Sequence, residues 1–119
     1  MAGAVLVVDD DAAFRGLARR MLTAAGLSVV GEADTVEAAR DAATALEPDA
    51  ALIDIGLPDG NGASLAAELE AMPWRPRILL TSIDPDAASL IGERATRASV
   101  FVPKNELPNA PLRELLGGQ

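Results

Sequence analysis

The sequence predicts an α/β domain, a doubly wound five-stranded parallel sheet in the (βα)5 arrangement. Three observations predict it. Five short apolar runs recur along the chain, and the stretches between them carry apolar residues at helical spacing. Several runs stop at Asp, Thr, Ser or Lys, as strands do at the ligand-binding edge of such sheets. At 119 residues, one domain spanning 1–119 can bury a core without metal or disulfide staples.

Ala4-Val5-Leu6-Val7-Val8 is a β-branched run of the kind buried on both faces of a parallel sheet, and it ends in Asp9-Asp10-Asp11. Asp11 suits a helix cap, after which Phe14, Leu17, Ala18, Met21 and Leu22 repeat at helical spacing until Gly26. Arg15, Arg19 and Arg20 mark a solvated face. Ser28 to Ala33 reads as the second strand, and Thr35 opens a helix turning Val36, Ala39, Ala43 and Leu46 inward until Pro48.

The third strand, Ala50 to Asp54, runs into a loop of Gly, Pro, Asp and Asn through Gly62. A helix over about 63–71 then places Leu65, Leu69 and Met72 on one side, with Trp74 as a packing residue. Arg77 to Leu80 is the fourth strand, ending in Thr81-Ser82. Asp84-Pro85-Asp86 starts a fourth helix carrying Leu90 and Ile91. Ser99 to Val102 is the fifth strand, closed by Pro103-Lys104, and a last short helix holds Leu112, Leu115 and Leu116 before Gly117-Gly118.

The chain has no Cys and no His, which excludes disulfides, thiolate metal sites, Cys nucleophiles and every His-based mechanism. Carboxylate, hydroxyl and amine remain. The net charge is −8, and residues 1–60 hold 11 acidic against 4 basic residues. That balance suits a cation and argues against direct binding of nucleic acid. No basic-then-apolar leader opens the chain and no run approaches the roughly 18 residues of a membrane span, so a cytoplasmic protein without membrane association is expected.

Laid side by side, strands one, three, four and five bring Asp9 and Asp10, Asp54, Thr81 and Ser82, and Lys104 to one edge. Three crowded carboxylates repel unless a cation joins them. Mg²⁺ fits best, because it takes oxygen ligands and shares its shell with water and phosphate.

These motifs resemble the receiver (CheY-like) domain of bacterial two-component response regulators. The resemblance runs from Val5-Leu6-Val7-Val8-Asp9-Asp10 through Leu52-Ile53-Asp54-Ile55-Gly56-Leu57-Pro58-Asp59-Gly60 and Leu79-Leu80-Thr81-Ser82 to Phe101-Val102-Pro103-Lys104. The segment Phe101 to Leu107 and the Gly-ended last helix look closest to LuxR/NarL-type receivers. The resemblance implies strand order 2-1-3-4-5 and a signalling domain that catalyses only its own phosphorylation and dephosphorylation. Asp54 would be the phosphoacceptor, served by a histidine kinase, a phosphotransfer protein or a small phosphodonor. Asp10, Asp54 and the Gly56 carbonyl would hold Mg²⁺, with Asp9 acting through water. Thr81, Ser82 and Lys104 would bind the phosphoryl group, and Phe101 would swing inward with Thr81 on activation. A surface of the fourth helix, fifth strand and fifth helix, including Leu90, Ile91, Phe101, Leu107 and Leu112, would then repack for a downstream protein target, an output domain or a second copy of the chain.

Asn105 follows Lys104 where many receivers have Pro, so a trans bond is expected there. Gly56 and Ile83 occupy positions that often tune phosphoryl lifetime; neither can orient water, which predicts a long-lived aspartyl phosphate. Two other readings compete: a haloacid-dehalogenase-like phosphatase with Asp9 as nucleophile, and a phosphorylation-independent interaction module. No DNA-binding segment is expected within residues 1–119, so the chain is either a stand-alone receiver or part of a larger regulator.

Overall fold

The apolar runs pair in parallel into one sheet. The computed structural model describes residues 3–83 and 99–117. Its strands are β1 (Ala4–Val8), β2 (Ser28–Ala33), β3 (Ala50–Asp54), β4 (Arg77–Thr81) and β5 (Ser99–Phe101), in the spatial order β2-β1-β3-β4-β5. This is the order expected. Helices α1 (Ala12–Ala24), α2 (Val36–Leu46) and α3 (Gly62–Glu70) and a C-terminal helix (Leu112–Gly117) cover the faces.

Every residue of β3 is buried, and β1 and β4 are buried after their first residue. Two-sided burial explains why these strands are unbroken apolar runs. Their side chains still alternate between faces. Leu6, Val8, Ala51, Ile53, Ile78 and Leu80 pack with α2 and α3 through Ala39, Ala43, Leu65 and Leu69. Val5, Val7, Leu52 and Leu79 face the other layer, made by Phe14, Ala18 and Leu22 of α1 and by Leu107, Leu112 and Leu116.

The helices start where side chains can take the free N–H groups of a first turn. Asp11 accepts from Ala13 N at 2.9 Å, Thr35 from Ala38 N at 3.0 Å and Asn61 from Ala63 N at 2.7 Å. Gly26, at φ +87°, makes the left-handed turn after α1.

Several expectations need correction. Leu17 and Leu46 are 42% and 44% exposed, at the flank of their helices' apolar stripes. Arg15 and Arg19 do not extend freely into solvent, because both grip Glu32 of β2. Residues 56–61 form a two-rung antiparallel hairpin, Gly56–Leu57 with Gly60–Asn61, instead of an irregular loop. Val102 lies beyond β5, and Lys104–Asn109 is a 3-10 helix. Leu107 (0% exposed) and Leu112 (6%) are core residues and no part of an exposed surface. Among the described residues every peptide bond is trans, Lys104–Asn105 included. The expected fourth helix with Leu90 and Ile91, and Gly118, lie outside the described residues.

Candidate functional site

Register alone brings the predicted residues to one edge. Val8 pairs with Ile53 and Asp54 with Thr81, so Asp9 and Asp10 leave β1 beside the end of β3. Leu80 pairs with Phe101, which carries the chain through Val102 and Pro103 to Lys104 on the same edge. Backbone bonds tie these tips together: Ile55 N to Thr81 O at 3.0 Å, Val102 N to Leu80 O at 2.9 Å and Lys104 N to Ser82 O at 3.0 Å.

Asp9, Asp10 and Asp54 each offer a carboxylate oxygen, all within 4.8 Å of one another, with Asp10 exposed and the other two buried. Asp9 is fully enclosed. Its Oδ1 accepts from Asp11 N at 2.8 Å, and its Oδ2 lies 2.7 Å from Lys104 Nζ, an ion pair without hydrogen-bond alignment. Asp54 Oδ1 accepts from Gly56 N at 3.1 Å, and Asp54 Oδ2 lies 3.3 Å from the same Nζ. The Lys104 ammonium therefore bridges the two buried acids.

Electrostatics follow from this crowding. Burial, aided by the Asp9 charge, raises the Asp54 carboxyl above the usual carboxylate range, against the pull of the Gly56 N–H and Lys104. Burial works against the Lys104 ammonium, yet its pairing with Asp9 and Asp54 outweighs that and holds its pKa above the ordinary lysine value. Oxygen donors this close, one of them exposed, fit a hard divalent cation such as Mg²⁺.

Thr81 is fully buried, and its hydroxyl donates to Val102 O at 2.7 Å, toward the backbone beyond β5. Ser82 is buried beside it at the strand tip. Phe101 is half-buried and packs against the α2/α3 layer of the core. The structure thus gathers Asp9, Asp10, Asp54, Gly56, Thr81, Ser82 and Lys104 on one edge. Phe101 is the last residue of β5, immediately before the Val102 carbonyl that Thr81 bonds.

Other residues shape the site without having been singled out in the sequence. The centroid of the Phe14 ring lies 4.2 Å from Lys104 Nζ, close enough for a cation–π contact. Helical spacing marks Phe14 as apolar but does not reveal this second role. Arg15 Nη1 donates to Asp9 O at 2.6 Å while its Nε reaches Glu32, bracing the turn that presents Asp10. Gly62 approaches Asp54 so closely that a Cβ there would lie 2.2 Å from Asp54 O. The double glycine of Gly60-Asn61-Gly62 is its signal in the sequence. Asp59 accepts from Val36 N at 2.7 Å and Glu37 N at 3.2 Å, and these bonds, the first above all, hold its carboxyl below the usual range.

Comparison with known proteins agrees with this geometry. The family described as the response regulator receiver domain matches residues 5–114. The DNA-binding transcriptional activator DevR/DosR of Mycobacterium tuberculosis is 41% identical over 86 residues, 71% of this chain and 40% of its own length. The chain thus spans less than half of that relative. The chemotaxis protein CheY of Thermotoga maritima is 30% identical over 93% of this chain and 92% of its own. Among solved structures, the signal receiver domain of the NarL response regulator from M. tuberculosis superposes with a TM-score of 0.75 at 30% identity, covering 96% of both chains.

Proposed function

The chain belongs to the response regulator receiver domain family, and we propose from that premise that Asp54 is the residue on which it accepts a phosphoryl group. One observation carries the reading: parallel register sets Asp54 against Thr81, with Asp10 and Lys104 on the same edge. Receiver domains are signalling domains, not enzymes in the usual sense.

An ionised carboxylate is a weak nucleophile, so the chain's task is to orient it and cancel charge around it. One Asp54 oxygen attacks phosphorus as the donor's P–N or P–O bond breaks, and the leaving group takes the electron pair. The Gly56 N–H on Oδ1 and Lys104 on Oδ2 set the carboxylate's orientation. Lys104 is poised to pass from its bridge between the acids to an oxygen of the incoming group. Asp10, Asp54 and the Gly56 carbonyl would hold Mg²⁺, which supplies charge neutralisation at the phosphoryl oxygens. Indirect action of Asp9, through water, agrees with its enclosure and its existing partners.

For switching, the Thr81 hydroxyl has to give up its bond to Val102 O to reach a phosphoryl oxygen. Loss of that bond frees the backbone next to Phe101, so the altered surface centres on β5, where Val100 is 40% exposed. A histidine kinase or phosphotransfer protein as donor, and a protein target, output domain or second copy as receiver of the signal, are the partners this chemistry suits. Among the described residues no helix is long and apolar enough to cross a membrane. The competing phosphatase reading finds no support: its nucleophile would be Asp9, which is sealed beneath Lys104.

Intact-mass measurement after acetyl phosphate and Mg²⁺ treatment tests the assignment. Wild type is expected to gain one phosphoryl group and Asp54→Asn none; an equal gain in both overturns it.

A further inference from the structure

We propose that Asp59 is a positioning residue for the phosphoacceptor loop: by gripping the first turn of α2 it fixes Gly56 beside Asp54. The proposal deepens the reading of Gly56 and Asp54 as part of the phosphorylation and metal site, and rests on it.

Asp59 stands at the tip of the hairpin that follows Asp54, yet both its carboxylate oxygens are committed to a helix 22 and 23 residues back in the chain. Helix α2 has its own cap, since Thr35 serves Ala38 N. Water could serve Val36 N and Glu37 N. The element that depends on the contact is the hairpin. It has two rungs, Gly56 with Asn61 and Leu57 with Gly60, and a pairing this short does not stand alone in water. At its far end Asn61 caps α3 and Gly62 N donates to Ile55 O at 2.8 Å. At its near end Gly56 has no side chain, and a Cβ there would meet nothing within 4 Å. No side-chain packing therefore holds Gly56. The Gly56 N–H that orients Asp54 belongs to the Ile55–Gly56 peptide, whose carbonyl accepts from Gly62 N. The Gly56 carbonyl, which would be the metal ligand, belongs to the next peptide, Gly56–Leu57, on the strand of the two-rung hairpin. The ladder connects that strand to the tip, and the tip is secured by Asp59. Gly60 adds close approach, with its would-be Cβ 3.1 Å from Val36 Cγ2.

Two variants separate positioning of the loop from mere stability of α2. Asp59→Ala removes the grip, while Thr35→Ala removes the helix's own cap and leaves the hairpin attached. In metal-free protein, Asp59→Ala is expected to speed amide hydrogen exchange at Gly56 about 10-fold or more. By calorimetry it is expected to raise the Mg²⁺ Kd about 10-fold, the scale seen when a group supporting a metal ligand is lost. Thr35→Ala is expected to lower Tm while leaving both quantities within twofold of wild type. Asp59→Asn, which keeps one acceptor oxygen, carries the same comparison if the alanine variant does not fold. Unchanged Gly56 exchange in the Asp59 variants overturns the proposal, as does an equal change in Thr35→Ala. If Asp10→Asn leaves Mg²⁺ binding untouched, the metal-site reading fails instead, and the metal-free exchange data still decide the role of Asp59.

Discussion

At the scale of single residues, the site is a place where the fold accepts instability in return for chemistry. Asp54 has a folded pKa above its unfolded value, so the ionised form is less welcome in the folded chain than in the unfolded one. Its charge therefore costs stability at every pH above the folded pKa, and the cost is relieved as pH falls through that value toward the unfolded one. Asp54→Asn is expected to raise the Tm of metal-free protein at neutral pH, each kcal/mol gained appearing as about 4 °C in a domain of this size. An unchanged or lower Tm in calorimetry would show that Lys104 fully offsets the burial. Gly62 behaves oppositely. A methyl group there cannot fit 2.2 Å from Asp54 O and 2.8 Å from Ile55 Cα without displacing the strand end. Gly62→Ala is expected to destabilise by about 1–3 kcal/mol, the usual range for overpacking, and to slow phosphorylation. Normal stability with normal phosphorylation kinetics would refute that account.

At the scale of elements, surface charge pairs fasten α1 and α2 to their neighbours. Glu32 of β2 receives Arg15 at 3.0 Å and Arg19 at 2.7 Å, and these partners, Arg19 first, lower its pKa. A depressed carboxylate contributes stability that is fully present above its unfolded pKa, near 4.5, and is lost as pH falls through the folded value. Glu32→Gln is thus expected to cost about 0.5–1 kcal/mol at pH 7 and almost nothing near pH 3, in paired denaturation curves at the two pH values. These links lay outside the reach of sequence reading, which works by local period. The buried strands β1, β3 and β4 were legible because burial on both faces demands unbroken apolar runs, and the tips carrying Asp9, Asp54, Thr81 and Lys104 followed from where those runs stop. The hairpin at 56–61 and the 3-10 helix at 104–109 were not, since two rungs or two turns leave no periodicity. Leu107 was placed on the surface by the family resemblance, which carries no information on the packing of this particular turn; Leu46 read as core because it falls in step with Ala39 and Ala43. The Asp59 contact spans 23 residues, and Pro58-Asp59-Gly60 signals only a turn.

For the molecule as a whole, most of the negative charge lies in residues 1–60, and the folded sheet concentrates part of it at one edge. Monovalent salt screens exposed charges over a Debye length of about 10 Å at 0.1 M, but buried pairs are screened much less. KCl should therefore raise Tm only slightly. A divalent ion that binds the folded edge and not the unfolded chain stabilises by mass action, about 2.7 kcal/mol at 100 times its Kd. Millimolar MgCl₂ is then expected to raise the wild-type Tm by several degrees more than KCl of matched ionic strength. Asp54→Asn should start higher without metal and gain less with it, so the wild-type and variant curves converge or cross as MgCl₂ is titrated. Parallel curves would mean that the ion stabilises through diffuse screening instead of through the Asp10 and Asp54 carboxylates. Convergence would tie the instability of the bare site and its affinity for the cation to the same crowded oxygens.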